Sequence, residues 1–375
     1  MNCSGRFWRN AGSSLGEQVV RLAPLALIAI ITVVAFVTPS NLHFSRFLSL
    51  APAFAAAVWP VVGTVAVGVL AAALDVVIAA TIGSVSEERT HLFTLAVIAG
   101  ATAAAACASH VRQQREQTLA DVRSVAETTQ KVLLRPMPHR LGRLDIEALY
   151  LAAAAQARVG GDFYEALETV HGVRMIIGDV RGKGLPAVGM ASAILGCFRE
   201  AAYDEPDLAR LSRRLDVSTN RYTALLPGDP MEYFATAVLV EIPDDGPAVG
   251  IVNLGHPPPL LLSAGMVREV TPTAPSPPIN MGALVGEDYR IDTLSFAAED
   301  QLLLYTDGVT ETRDHTGAFF PLVQHAGQWD ADSPSRLLGQ LHSDLVRFSH
   351  GRLDDDIAAI AVRAAAGTAS YRRGR

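Results

Sequence analysis

Three stretches in the first third of the chain are almost free of charge, and this limits what that part can become. Residues 22–44 contain no Asp, Glu, Lys or Arg, residues 47–86 contain only Asp75, and residues 90–111 contain none. A helix needs about 20 apolar residues to cross a bilayer. The three stretches therefore read as membrane-embedded. The middle one is long enough for two crossings, with a break near Trp59-Pro60. The expected spans are 22–38, 47–60, 62–83 and 91–110, the second being short. Residues 35–39 (AFVTP) lack the small-x-small pattern of a cleaved signal peptide.

Basic residues flank this set: Arg6, Arg9 and Arg21 before it, and Arg112, Arg115, Arg123 and Lys131 after it. Positive charge marks cytoplasmic span ends, so both termini are expected in the cytoplasm of a multi-pass cell-membrane protein. Asp75 has two readings. A charge inside a membrane is costly and usually used; alternatively the side chain snorkels or pairs with backbone near a span end.

Beyond residue 111 charged residues return. Leu119, Val122, Ala126, Thr129 and Leu133 recur at spacings of three and four, a heptad seam. Pro136 and Pro138 end the helix. Over 111–135 this is either an amphipathic helix covering the next domain or a helix that pairs in a homodimer. The expected organisation is a cytoplasmic tail (1–20), a transmembrane region of about four helices (21–110), a linker helix (111–138), a soluble domain (139–366) and a disordered tail (367–375).

Within the soluble part, residues 146–154, 173–178, 233–242, 249–253 and 260–262 read as strands, and 185–203, 208–222 and 334–348 as helices. Residues 158–164 read as a turn. Strands in runs and helices in pairs point to an α+β layered domain. Three aspartates sit at the ends of apolar runs. Met175-Ile176-Ile177 leads into Asp179, Leu302-Leu303-Leu304-Tyr305 leads into Asp307, and 357–362 follows Asp355. Short apolar runs bounded by Gly and Asp read as buried strands ending in loops. Carboxylates at strand ends can converge on a cation, and hard oxygen donors suit Mg2+ or Mn2+ rather than zinc. Taken singly, an Asp in a Gly-rich turn is also an ordinary turn former.

Five motifs in order carry a resemblance: 159–164 (VGGDFY), 178–187 (GDVRGKGLPA), 253–260 (NLGHPPPL), 305–311 (YTDGVTE) and 355–357 (DDI). Over residues 130–365 the chain resembles the PPM-type, phosphatase 2C-like, metal-dependent protein serine/threonine phosphatases of the SpoIIE-like bacterial branch. The resemblance implies a sandwich of two antiparallel β-sheets flanked by helices, with two Mn2+ or Mg2+ ions. It implies that Asp179 bridges both metals, that the Val180 backbone carbonyl binds one, that Asp307 and Asp355 complete the other, and that Asp162 holds the second metal or its waters. Asp179, Asp307 and Asp355 are thus the expected catalytic residues. Arg158, Arg181 and Lys183 are the candidates for anchoring phosphate. His256, beside three prolines, reads as a structural hydrogen-bonder. Of Asp354 and Asp356, one supports the ligand from behind and the other is solvated. Lys183 stands where many relatives have a polar residue such as His, and Glu165 where relatives often have Asp.

The implied function is a membrane-anchored phosphatase acting on phosphoserine or phosphothreonine of a cytoplasmic protein, with an anti-anti-sigma (STAS-type) protein as the suggested substrate. The alternative is a non-catalytic, membrane-tethered module that sequesters a signalling partner. A net charge of −7 without a basic block excludes a nucleic-acid footprint. Cys3, Cys107 and Cys197 form neither a CxxC nor a Cys-His cluster, which argues against a disulfide framework or a zinc site.

Overall fold

A computed structural model describes residues 14–38, 44–82, 88–152, 160–286, 288–330 and 332–364. Residues 1–13 of the tail expected at 1–20, the tail expected at 367–375, and Arg158 lie outside the described residues, while 14–20 are helical. The chain forms two compact units, Met1–Val122 and Arg123–Arg375.

The first unit is helical: α1 (Ser14–Val37), a tight 3-10 turn (Phe44–Leu50), α2 (Ala51–Val58), α3 (Val61–Ile82) and the first part of α4 (Glu88–Leu133). The break expected at Trp59-Pro60 separates α2 from α3. Proline lacks the N–H that would continue the ladder. The freed carbonyls at the end of α2 are taken by α4. Arg112 donates from Nε to Ala56 O (3.2 Å) and from Nη2 to Trp59 O (3.0 Å), and Ser109 Oγ donates to Trp59 O (2.9 Å). Small and β-branched residues close the interior, among them Ala51, Ala55, Ala71, Ile28 and Ile98. Asp75 is wholly buried, and neither of its carboxyl oxygens has a hydrogen-bond partner among the described residues. The helix expected over 111–135 is the last part of the 46-residue α4, which ends at Leu133, three residues before Pro136.

The second unit contains eleven strands among its described residues, in two antiparallel sheets. The strands are β1 (Arg140–Leu141), β2 (Leu144–Leu151), β3 (Phe163–Thr169), β4 (Gly172–Val180), β5 (Ala235–Ile242), β6 (Ala248–Leu254), β7 (Leu260–Ser263), β8 (Met266–Glu269), β9 (Asp292–Ser295), β10 (Gln301–Tyr305) and β11 (Ile357–Ala364). One sheet runs β1-β2-β11-β10-β7-β8 and the other β3-β4-β5-β6-β9. Helices α5 (Leu185–Asp204), α6 (Leu208–Thr223) and α10 (Pro334–Phe348) flank them. The short helices α7 (Gly282–Val285), α8 (Asp307–Glu311) and α9 (Leu322–Ala326) lie in connections.

Strand alternation sorts the core into two layers. Leu302, Leu304, Ala358, Ile360 and Val362 join Met175, Ile177 and Val240 of the second sheet in one cluster. Their neighbours Leu303, Tyr305, Ile357, Ala359 and Ala361 join Leu337, Leu341 and Leu345 of α10 in another. This is the layered α+β sandwich that the motifs imply.

One expectation is corrected. Phe163 and Tyr164, read as part of a turn, open β3. Phe163 to Ala166 are all buried, so the strand shows none of the polar alternation by which a strand is recognised.

Candidate active site

The acids are brought together by antiparallel pairing. In β3 and β4, Phe163 pairs with Gly178, so the start of β3 and the end of β4 lie at the same end of their sheet. In β10 and β11, Tyr305 pairs with Ala359, which places the end of β10 beside the start of β11. Asp162 precedes β3, Asp179 lies near the end of β4, Asp307 follows β10 as the first residue of α8, and Asp355 precedes β11. Two residues from each sheet thus supply the site.

Glycine lets the first pair meet. A Cβ on Gly161 would lie 2.4 Å from Val180 O, so no other residue permits this approach of the two backbones. Val180 N donates to Gly161 O at 3.2 Å. Asp162 is buried, and its Oδ2 accepts from Thr306 Oγ1 at 2.8 Å. Thr306 is itself fully buried, and its hydroxyl oxygen accepts from Ala358 N at 3.0 Å. That one hydroxyl ties an acid of one sheet to the central strands of the other.

Asp356 forms a second tie. Its Oδ2 accepts from Tyr150 OH (2.7 Å) and Gly160 N (2.9 Å), holding the chain before Asp162 against the turn that carries Asp355. Asp356 is thus the supporting residue of the flanking pair. Asp355 is more open. Its Oδ1 accepts from Asp356 N (3.0 Å) and from Lys183 Nζ (2.7 Å). Neither Thr306 nor Tyr150 was singled out from the sequence. The usable signal at Thr306 was a hydroxyl at the end of a buried strand, directly before an acid.

The carboxyls repel one another in a dry place. Burial, then the charge of Asp179, raises Asp162 well above the usual carboxylate range, against a lowering contribution from the Thr306 hydrogen bond. Burial, followed by Asp307, pushes Asp179 up to about 7, although its hydrogen bond with Asp162 works the other way. Burial also raises Asp307, helped by Glu311 and Asp355. No three His, Cys, Asp or Glu side chains among the described residues close to the spacing of a ready-made metal shell. The match to a cation therefore lies in the donors: oxygen ligands only, with mutual repulsion that bound positive charge relieves.

The family model for stage II sporulation protein E (SpoIIE) matches residues 169–365. The chain belongs to the SpoIIE family. Asp162 lies just outside the match, whereas Asp179, Asp307 and Asp355 lie within it. Phosphoserine phosphatase RsbP of Bacillus subtilis (strain 168) is 25% identical over 203 residues, covering 54% of this chain and 49% of RsbP. Protein IcfG of Synechocystis sp. is 28% identical over 231 residues, covering 54% of this chain and 36% of IcfG. The chain thus spans about half or less of the length of these curated relatives. The SiaA-PP2C domain of Pseudomonas aeruginosa superposes with a TM-score of 0.54 at 19% identity, covering 66% of this chain and 98% of that domain. The second unit therefore has a PP2C-like fold, and the family match and the likeness to RsbP make it homologous to phosphatases of that family.

The remaining candidates separate clearly. Arg181 is exposed, with its guanidinium 5.3 Å from the centre of the Phe234 ring. His256 is buried; its Nδ1 accepts from Thr236 Oγ1 (2.9 Å) and its Nε2 donates to Tyr305 O (3.1 Å). Burial lowers its pKa to about 3, so it is a neutral strut beneath the strand that delivers Asp307. Glu165 is held by Arg199 Nε at 2.6 Å, and Arg199 also donates to Leu133 O at the end of α4 (2.9 Å). A cavity of about 310 Å³ between α5 and α6 is lined by Cys197, Glu200, Asp204, Arg214 and Arg221, and none of the four acids lines it.

Proposed function

We propose that this chain is a metal-dependent protein serine/threonine phosphatase that removes phosphate from phosphoserine or phosphothreonine of a cytoplasmic protein. The observation that carries this reading is the delivery of Asp162, Asp179, Asp307 and Asp355 from two sheets to one place, with three of them raised in pKa by burial and by each other. Asp179, the Val180 carbonyl, Asp307, Asp355 and Asp162 are the residues that would hold two Mn2+ or Mg2+ ions. Such a pair lowers the pKa of a shared water and neutralises phosphate charge. Thr306 fixes the rotamer of Asp162. Asp356 fixes the turn of Asp355. The 20-residue α5 starts after Gly184 and directs the positive end of its dipole toward the Asp179 loop, where an anion is favoured. Arg181 and Lys183 on that loop are the described candidates for holding phosphate. By its name, RsbP acts on phosphoserine; this chain would do the same, with a STAS-type anti-anti-sigma protein as the expected substrate class.

The helical unit would anchor the enzyme. Val61–Thr81 and Leu92–Asp121 are long and apolar enough to cross a membrane, and Leu22–Val37 and Arg46–Val58 are shorter apolar helices. Large apolar side chains face outward along them. Four crossings would put both ends of the chain in the cytoplasm, which reporter fusions after residues 20 and 375 would check. Within the seam at 111–135, Leu119 is exposed and available for pairing in a homodimer, whereas Leu133 is buried in the core of the second unit.

The deciding experiment uses the full chain in detergent micelles with a phosphoserine protein or p-nitrophenyl phosphate. Turnover should require Mn2+ or Mg2+ and stop in EDTA. Undiminished turnover in excess chelator rules out metal dependence, and no turnover with either metal leaves the non-catalytic binding module.

A further inference from the structure

Lys183 is held by one of the acids that the chemistry needs. It sits between Gly182 and Gly184, both with positive φ (103° and 87°), on the loop from β4 to α5. Its ammonium is 2.7 Å from Asp355 Oδ1, across 172 positions of sequence. The same oxygen accepts from Asp356 N at 3.0 Å. A carboxylate oxygen offers two in-plane lone pairs, and here both face donors. A cation that takes this oxygen must displace one of them.

The two donors differ in what displacement costs. Asp356 N belongs to the backbone of a turn pinned by Tyr150 and Gly160. The Lys183 ammonium ends a flexible four-carbon stem. The Lys183 and Asp355 side chains are 37% and 44% exposed, so water can replace each in the other's hydrogen bond. An ammonium has three donors and no lone pair, and it cannot itself become a metal ligand. A lysine ammonium is the protonated form at neutral pH.

We propose that Lys183 is an internal competitor for the metal position at Asp355: ammonium and divalent cation claim the same carboxylate, and their competition sets the cation concentration at which that position fills. This rests on the metal-dependent reading above. Filling the position frees Lys183. The loop that ties Asp179 to α5 then carries an unpaired positive charge beside the site at the moment the site becomes competent. An enzyme built this way resists filling at low cation concentration and gains a candidate phosphate contact when filled.

The test is calorimetric titration of Mn2+ into the full-length chain in detergent micelles, after chelation and buffer exchange, for wild type, Lys183→Met and Arg181→Met. Exposed ion pairs contribute little, so Lys183→Met should bind one Mn2+ tighter by about two- to fivefold. Arg181→Met removes the same charge from the same loop without touching Asp355, and it should match wild type. Equal tightening in both variants means a bulk charge effect and overturns the proposal. Unchanged or weaker binding in Lys183→Met also overturns it. Failure of wild type to bind Mn2+ removes the metal reading itself. Near-UV circular dichroism verifies folding, and Lys183→Gln repeats the titration if the Met variant does not fold.

Discussion

The two units put the same kinds of residue to opposite use. In the helical unit many large apolar side chains point outward: Ile30, Val33, Val62, Val69, Leu92 and Phe93 are all more than half exposed. In the sheet unit Leu302, Leu303 and Leu304 are consecutive and buried on both faces, because one face meets the other sheet and the other meets α10. Buried acids differ as sharply. Asp75 has no hydrogen-bond partner among the described residues, while Asp162 is held by Thr306 and Asp356 by Tyr150 and Gly160. A buried acid with orienting donors is positioned for a task; a buried acid without them is only tolerated. Hydrophobic content alone does not separate the two units. The placement of polar partners does.

The strongest test of that contrast lies at the held acids. Asp179→Asn and Asp307→Asn keep shape and remove charge. Each should lower phosphatase turnover by ~100-fold or more, beyond what loss of an outer hydrogen-bonding partner costs. Near-UV circular dichroism should be unchanged, since Asn relieves repulsion. Wild-type turnover in either variant would remove that residue from the site.

A smaller effect is expected at Thr306→Val, which touches no cation. It frees Asp162 Oδ2 and leaves Ala358 N without its side-chain acceptor. Turnover should fall about 10-fold, as for other outer partners of metal ligands. Stability should fall by ~1–3 kcal/mol for the unsatisfied buried groups. Thr306→Ser, which restores the hydroxyl, should recover most of both. A Val variant with full activity would show that Asp162 orients itself.

How much of this was legible follows from where each signal resides. Asp179, Asp307 and Asp355 announced themselves because each adjoins an apolar run, and a strand end is a local pattern. The helix at 334–348 was read to the residue because its apolar face repeats and its ends carry Pro and Ser. β3 was missed because burial on both sides erased its alternation. Thr306, Tyr150 and the tie through Asp356 were missed because each works through a partner distant in sequence: Thr306 is 144 positions from Asp162, and Tyr150 is 206 from Asp356. The pairing of Lys183 with Asp355 was illegible for the same reason. Spacing along a chain reports strands and helices; it does not report which loops the sheet order brings together.

The acids also give the sheet unit a pH signature. The Asp179 carboxyl is raised from 3.8 to about 7, first by burial and then by Asp307. The folded state therefore keeps a proton that the unfolded chain has already released. In chelator, this contribution to stability is complete below about pH 4 and is lost as the pH rises toward 7. The melting temperature should drop across that window by about 2–4 °C for each kcal/mol lost. Asp179→Asn should reduce the slope and leave the part that comes from the raised Asp162 and Asp307. Rising stability across the same window would mean that Asp179 is ionised in the fold.

The smallest effect on catalysis is expected at Asp75. It is wholly buried in the helical unit, and its oxygens find no donor. A carboxyl in that position loses its water and regains nothing. Asp75→Leu should therefore raise the thermal stability of the helical unit in detergent, by the ~1–3 kcal/mol that an unsatisfied buried polar group costs. Phosphatase turnover should stay within about twofold, because Asp75 lies outside the residues that hold or orient the proposed cations. Asp75→Asn keeps a polar group in the same place and should gain little stability. If Asp75→Leu instead lowers stability or changes turnover while Asp75→Asn does not, the acid has a partner or a task within the helical unit, and the division between held and merely tolerated acids fails at this residue.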